Sequence, residues 1–136
     1  MINYLLDTDR CIFFINGKFG LKEKLQAEGK QRLFISEITI AELKFGAENS
    51  QKVEYNRKIV EKFVKASQVI PIAGSIGIYA KEKAGLRKQG TLIDDFDLLI
   101  GATAISNEMT LLTRNEKHFK RINNLTYENW IDNFSA

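Results

Sequence analysis

The chain has 136 residues, 44% of them hydrophobic and 27% charged, with a net charge of +3 and a pI near 9.0. That length suits one domain spanning 1–136 around one sizeable core, and the apolar share excludes a disordered segment. A single cysteine, Cys11, and a single histidine, His118, exclude an internal disulfide and a Cys/His zinc site.

The opening "MINYLLDTDR" has no basic stretch and meets Asp7 too early for a signal peptide. No apolar run approaches the roughly 18 to 20 residues that span a membrane, so a cytoplasmic protein without a membrane partner is expected. Its first apolar run, "INYLLD", ends in a carboxylate, as a buried strand does. "CIFFI" (residues 11–15) then predicts a core-facing helix. "RLFIS" and "SQVIPI" predict two more strands, separated by the helical stretch "VEYNRKIVEKFVKA". There Ile59 and Phe63, and Val60 and Val64, lie four apart. "SIGIYAKEKAGLRKQG" predicts a helix capped by Ser75 and ended at Gly90. "DLLIGATAISN" sets Leu98, Ala102 and Ile105 on one helical face and ends at Asn107. "MTLLT" is a fourth strand and "LTYEN" a shorter fifth. Strands alternating with helices predict an α/β fold, a mostly parallel sheet of four to five strands covered on both faces.

In such folds ligands bind beyond the carboxyl ends of the strands. Asp7 closes the first strand there, a place where a strand-ending carboxylate has no evident capping duty. Glu42 lies in the first turn of the helix after the second strand. Asp94, Asp95 and Asp97 open the helix before the fourth, and Asn115 and Glu116 follow the fourth strand. Four segments thus deliver oxygen ligands to one edge. Carboxylates with few imidazoles or thiols suit hard divalent ions, Mg²⁺ or Mn²⁺. One or two such ions activate water and steady charge on a phosphodiester. Each acid also has a structural reading: Thr39-x-x-Glu42 is a capping box, and Asp94 or Asp95 is an N-cap favoured by the helix dipole. "AGSIG" (residues 73–77) approaches a G-x-S-x-G nucleophile elbow, but its first glycine is alanine and no oxyanion loop accompanies it.

Together "LLDTD", "ITIAEL", "DDFDLLIGATA", "LLTRNEKHF" and "NLTYENW", from Asp7 to Trp130, resemble the successive motifs of PIN-domain ribonucleases of the VapC toxin type. The resemblance implies a three-layer α/β/α sandwich of PIN type. It also implies a Mg²⁺- or Mn²⁺-dependent endoribonuclease toxin, usually a homodimer, neutralised by a cognate VapB-type antitoxin. Initiator tRNA is the substrate of the most similar toxins, and the expected products carry a 5′-phosphate and a 3′-hydroxyl. Matched position by position, Asp7, Glu42 and Asp97 are the family's first, second and third acids and the metal ligands. Thr8 and Thr113 orient a ligand carboxylate or a water.

Asn115 stands where many relatives carry another acid. This departure implies that one ion binds firmly and a second arrives with RNA, unless Glu116 substitutes. Arg10, Arg114 and Lys117 flank the acids and are candidate phosphate ligands, whereas His118 is read as a partly exposed loop residue. The resemblance also places early helices in an antitoxin groove, with Phe13 or Phe14 half exposed. The alternative is a PIN-like domain that binds RNA or protein without cutting.

Overall fold

The computed structural model describes residues 2–17, 27 and 29–129. Trp130, the last residue of the family-like motifs, lies outside them. Five strands, β1 (Tyr4–Leu6), β2 (Leu33–Ser36), β3 (Gln68–Ile70), β4 (Thr110–Leu112) and β5 (Tyr127–Glu128), form one sheet in the order β3-β2-β1-β4-β5. Every pairing is parallel. The helices whose bounds lie among the described residues are α1 (Thr8–Ile15), α2 (Glu37–Glu48), α3 (Val53–Ala66), α4 (Ile76–Lys88), α5 (Asp95–Ser106) and α6 (Glu116–Phe119). None is long and apolar enough to cross a membrane.

Side chains of a strand alternate between its two faces, and the central strands use that to build two cores. Tyr4, Leu6 and Leu112 pack with Cys11, Leu43, Ala47 and Val60 under α1, α2 and α3. Leu5 and Leu111 pack with Leu86, Leu98, Ala104 and Phe119 under α4, α5 and α6. The result is the expected sandwich, helices on both faces of a parallel sheet. Each fully buried leucine stabilises it by about 1.5–3 kcal/mol relative to exposure.

From β1 the chain steps outward to β2 and β3, then crosses back to place β4 on the other side of β1. The carboxyl ends of β1 and β4 therefore diverge at a topological switch point, the place where open α/β sheets leave a crevice.

Several local expectations change. α5 buries Ile100, Gly101, Thr103 and Ala104 as well as Leu98 and Ala102, so it is enclosed on nearly all sides rather than along one stripe. Gly101 permits this, because a Cβ there would stand 2.8 Å from the Ile122 side chain beside Phe119 of α6. Ser75 occupies the position before α4, but its buried hydroxyl caps nothing and has no hydrogen-bond partner. A hydroxyl so enclosed is no nucleophile. Gly90 does follow α4, at φ +69°, with Gly90 N–H on the Arg87 carbonyl and Thr91 N–H on that of Leu86, a left-handed helix stop. In α1 Cys11 is buried, Phe13 and Phe14 are half-buried, and Phe14 packs its ring 5.8 Å from that of Phe63.

Candidate active site

Asp7 leaves β1 at the switch point and is almost wholly buried. Its main chain donates to the Leu112 carbonyl of β4 at 2.9 Å, which fixes it between the two strands. Its carboxylate accepts from Thr8 N–H at 2.8 Å through one oxygen and from the Thr113 hydroxyl at 2.8 Å through the other. Asp7 is thus the N-cap of α1, contrary to the expectation that it has no capping duty. The turn from β1 into α1 is immediate, so the residue that ends the strand also begins the helix.

Glu42 is corrected in the other direction. Ser36 caps α2 by accepting from Ile38 N–H at 3.0 Å. Glu42 lies in the second turn, too far along to cap. Its Oε1 accepts instead from the Thr8 hydroxyl at 2.6 Å. Thr8 has one proton and gives it there, so its 3.1 Å contact with the buried Thr39 hydroxyl is a bond that Thr39 donates.

On the α5 side Asp94 is the N-cap, accepting from Phe96 and Asp97 N–H. Asp95 turns away to Lys83 Nζ at 2.8 Å and the Tyr79 hydroxyl at 2.9 Å, which removes it from the site. Asp97 faces β4: its Oδ2 lies 3.2 Å from Asn115 Nδ2 and 2.9 Å from His118 Nδ1. Asn115 N–H in turn donates to the Thr113 hydroxyl at 2.9 Å. A continuous hydrogen-bonded chain therefore runs Asp97–Asn115–Thr113–Asp7–Thr8–Glu42. It joins five elements and the six residues singled out in the sequence. Glu116, exposed at the start of α6, is not in it.

The electrostatics of this chain are unfavourable. Burial, and then the negative charge of Asp9, push the Asp7 carboxyl up to about 7; the Thr113 and Thr8 hydrogen bonds oppose that only partly, and Asp97 adds to it. Burial also raises Glu42, against the Thr8 hydrogen bond and with repulsion from Asp97, Asp94 and Asp9. The acids feel one another across a space where no three of them close into a ready-made cage: among the described residues no group of three His, Cys, Asp or Glu is so placed. Spaced carboxylates fit a hard ion that keeps several waters, as Mg²⁺ does.

Asp9 was not singled out from the sequence, and it is the strongest charge acting on Asp7. Its Oδ1 is buried without a hydrogen bond, 3.7 Å from Arg10 Nη1, and burial raises its carboxyl above the usual range. The D-x-D spacing at a helix start was the available signal. Arg10 is corrected as a phosphate ligand: it is wholly buried, donates to Asn129 Oδ1 at 2.8 Å and stacks its guanidinium 5.8 Å from the Phe13 ring. It offsets the Asp9 charge in part inside the fold. Arg114 and Lys117 are exposed beside the site. His118 belongs to α6, not to a loop, and touches Asp97.

The PIN-domain sequence profile matches residues 4–125. The chain belongs to the PIN-domain family. Its sequence is 36% identical over 131 residues to Ribonuclease VapC2 of Rickettsia felis, covering 93% of this chain and 97% of that one. It is 32% identical over 132 residues to the tRNA(fMet)-specific endonuclease VapC of Shigella flexneri, covering 96% and 99%. In structure, this PIN domain is similar to a chain of the VapBC2 complex of Rickettsia felis bound to a DNA fragment from its promoter. The TM-score is 0.87 at 36% identity, over 96% of this chain and 99% of that one.

Proposed function

We propose that this PIN domain is the toxin of a toxin–antitoxin pair, an endoribonuclease that hydrolyses RNA phosphodiesters with Mg²⁺ or Mn²⁺. The observation that carries the reading is the state of Asp7: a buried carboxylate at the switch point, pushed up by burial and by neighbouring acids, with no cation among the described residues acting on it. Groups perturbed in this way by desolvation and like charge gather at functional sites. The ribonuclease names of the relatives point to the same chemistry.

Asp7, Asp97 and Glu42 are the residues that hold the ion. When bound, the ion lowers the pKa of water and offsets charge building on the phosphorus. Thr113 fixes Asp7 by donating to one of its carboxylate oxygens. Thr8 does the same for Glu42. Arg114 and Lys117, exposed at the rim, meet phosphates flanking the cut, which sets affinity without setting sequence. Three acids and the neutral Asn115 leave two divalent ions under-neutralised, so one binds firmly and a second comes with RNA. The favoured substrate is tRNA, initiator tRNA first, following the tRNA(fMet)-specific relative. The partners are a VapB-type antitoxin and a second copy of the chain, in the cytoplasm. Half-buried Phe13 and Phe14 are the antitoxin-facing candidates.

The test is cleavage of end-labelled total tRNA by antitoxin-free protein with Mg²⁺ or Mn²⁺, with EDTA, and with Asp97→Asn. Discrete cuts that need metal and vanish in the variant are expected. RNA bound equally by both proteins and never cut, on tRNA or other RNAs, would replace the enzyme by a non-cleaving RNA-binding domain.

A further inference from the structure

Three side-chain atoms at the mouth of the site form a closed triangle. Asp97 Oδ2 lies 2.9 Å from His118 Nδ1 and 3.2 Å from Asn115 Nδ2, and the latter two are 2.9 Å apart. A hydrogen bond needs one donor and one acceptor, and an acceptor-only carboxylate oxygen, one amide atom and one ring nitrogen in mutual contact cannot satisfy that on every edge. If Nδ1 carries its proton, it donates to Asp97 but confronts the Asn115 amide N–H. If Nδ1 carries a lone pair, it accepts from Asn115 but confronts the carboxylate lone pairs. Turning the amide over, a choice that heavy-atom positions do not fix, sets its oxygen against Asp97 instead. Beside a charged carboxylate, every tautomer and every amide orientation leaves at least one edge repulsive.

One arrangement removes the conflict. With the imidazole proton on Nε2 and the amide oxygen inward, all three atoms present lone pairs, and a shared cation turns three repulsions into three bonds. Donors about 2.1 Å from an ion and at right angles about it stand roughly 3 Å from one another, the size of this triangle. Asp97 is partly exposed at 17% and His118 at 38%, so the face opens to solvent.

We propose that Asp97, His118 and the Asn115 side-chain oxygen form one face of the cation site, and that the imidazole nitrogen makes this site favour Mn²⁺ over Mg²⁺. The inference rests on the metal-dependent reading above and adds to it a nitrogen ligand and a preference. Mg²⁺ is a hard ion of oxygen ligands, whereas imidazole suits first-row transition ions. Asn115 thereby contributes its carbonyl in place of a fourth acid, and His118 supplies the donor that the amide's missing charge leaves wanting.

The experiment is pulsed EPR on Mn²⁺ bound to the antitoxin-free protein, together with Mn²⁺ and Mg²⁺ affinities by calorimetry, for the wild type and His118→Gln. Glutamine keeps the polarity but brings no imidazole. The expected result is a directly bound ¹⁴N coupling in the wild type that is absent from His118→Gln. The ratio of Mn²⁺ to Mg²⁺ affinity should fall about tenfold or more in the variant. Bound Mn²⁺ without nitrogen coupling in the wild type would overturn the inference and leave the nuclease standing, with His118 a hydrogen-bonding neighbour of Asp97. No Mn²⁺ bound at all would overturn both. The wild-type spectrum decides the ligand even if the variant folds poorly.

Discussion

Two groups of acids meet α2, and they are electrostatic opposites. Glu48 and Glu54 hold Arg57 between α2 and α3, all three in solvent, with Arg57 Nε 2.6 Å from Glu48. There the hydrogen bonds dominate: Glu48 is pulled below the ordinary carboxylate range and Arg57 is raised. Around Glu42, in the middle of the same helix, stand Asp7, Asp9 and Asp97, with Arg114 and the buried Arg10 both acting on Asp9. Burial raises Asp7, Asp9 and Glu42 instead of lowering them. The first group is satisfied by what the chain itself provides. The second is held in an unfavourable state by a scaffold of threonines, which the proposed cation would relieve.

That contrast breaks most visibly in activity. Asp97→Asn should reduce metal-dependent RNA cleavage on the order of 10²–10⁴-fold, the kinetic equivalent of several kcal/mol of lost charge stabilisation. Asp95→Asn, two residues away but paired with Lys83 in solvent, should cleave like the wild type in the same assay. Equal losses in both would show that charge near α5, not the position of Asp97, matters.

Next in size is stability at Arg10. Replacing this wholly buried guanidinium by methionine removes a charged partner from Asp9 and a hydrogen-bond donor from Asn129. A cost of about 3–5 kcal/mol is expected, as for a buried pair that loses one member, measured by urea unfolding. Arg57→Gln should leave the melting temperature unchanged, since its partners are solvated.

A third expectation concerns pH. The Asp7 carboxyl lies at about 7 in the fold against an ordinary 3.8, so the folded chain holds a proton that the unfolded chain has released. Stability from this group is full below about 3.8 and is lost as pH rises toward 7, by a few kcal/mol at most. Asp7→Asn should therefore flatten the rise in melting temperature from pH 8 to pH 5 while abolishing cleavage. Smallest of all, Thr113→Val removes the hydroxyl that Asp7 accepts from and Asn115 donates to. It should cost about 1–3 kcal/mol and weaken metal binding without touching a ligand.

Much of the fold was legible because apolar runs too short for helices alternate with helical stretches of period near four. α3 begins and ends at the residues its Ile59/Phe63 and Val60/Val64 spacing marks. The enclosure of α5 was not legible: its "LLIGATAI" reads as one apolar face until Gly101 lets α6 approach from a second side. In the site, strand ends announced Asp7 and the β4 loop, and Thr8, Thr113 and Asn115 do lie on the chain that joins the acids. The fate of each charge was hidden, because it depends on direction. Asp95 and Asp97 are two apart on a helix and so point to different sides. Arg10 looked like a phosphate ligand until α1 turned it inward. His118 looked like surface until α6, seated on α5, brought its ring to Asp97. Capping motifs misled once each way, since Thr39-x-x-Glu42 fits a box that Ser36 already fills.

The measurement that tests the central claim most directly is calorimetric titration of Mg²⁺ and Mn²⁺ into antitoxin-free protein near pH 7, repeated in buffers of different ionisation enthalpy. If a cation completes the acid group, binding must displace the proton that Asp7 holds. A fraction of a proton should be released per ion bound, falling toward zero above pH 8 and absent from Asp7→Asn. Binding with no proton released near pH 7, or an affinity unchanged in Asp7→Asn, would contradict the account and return these carboxylates to a purely structural role.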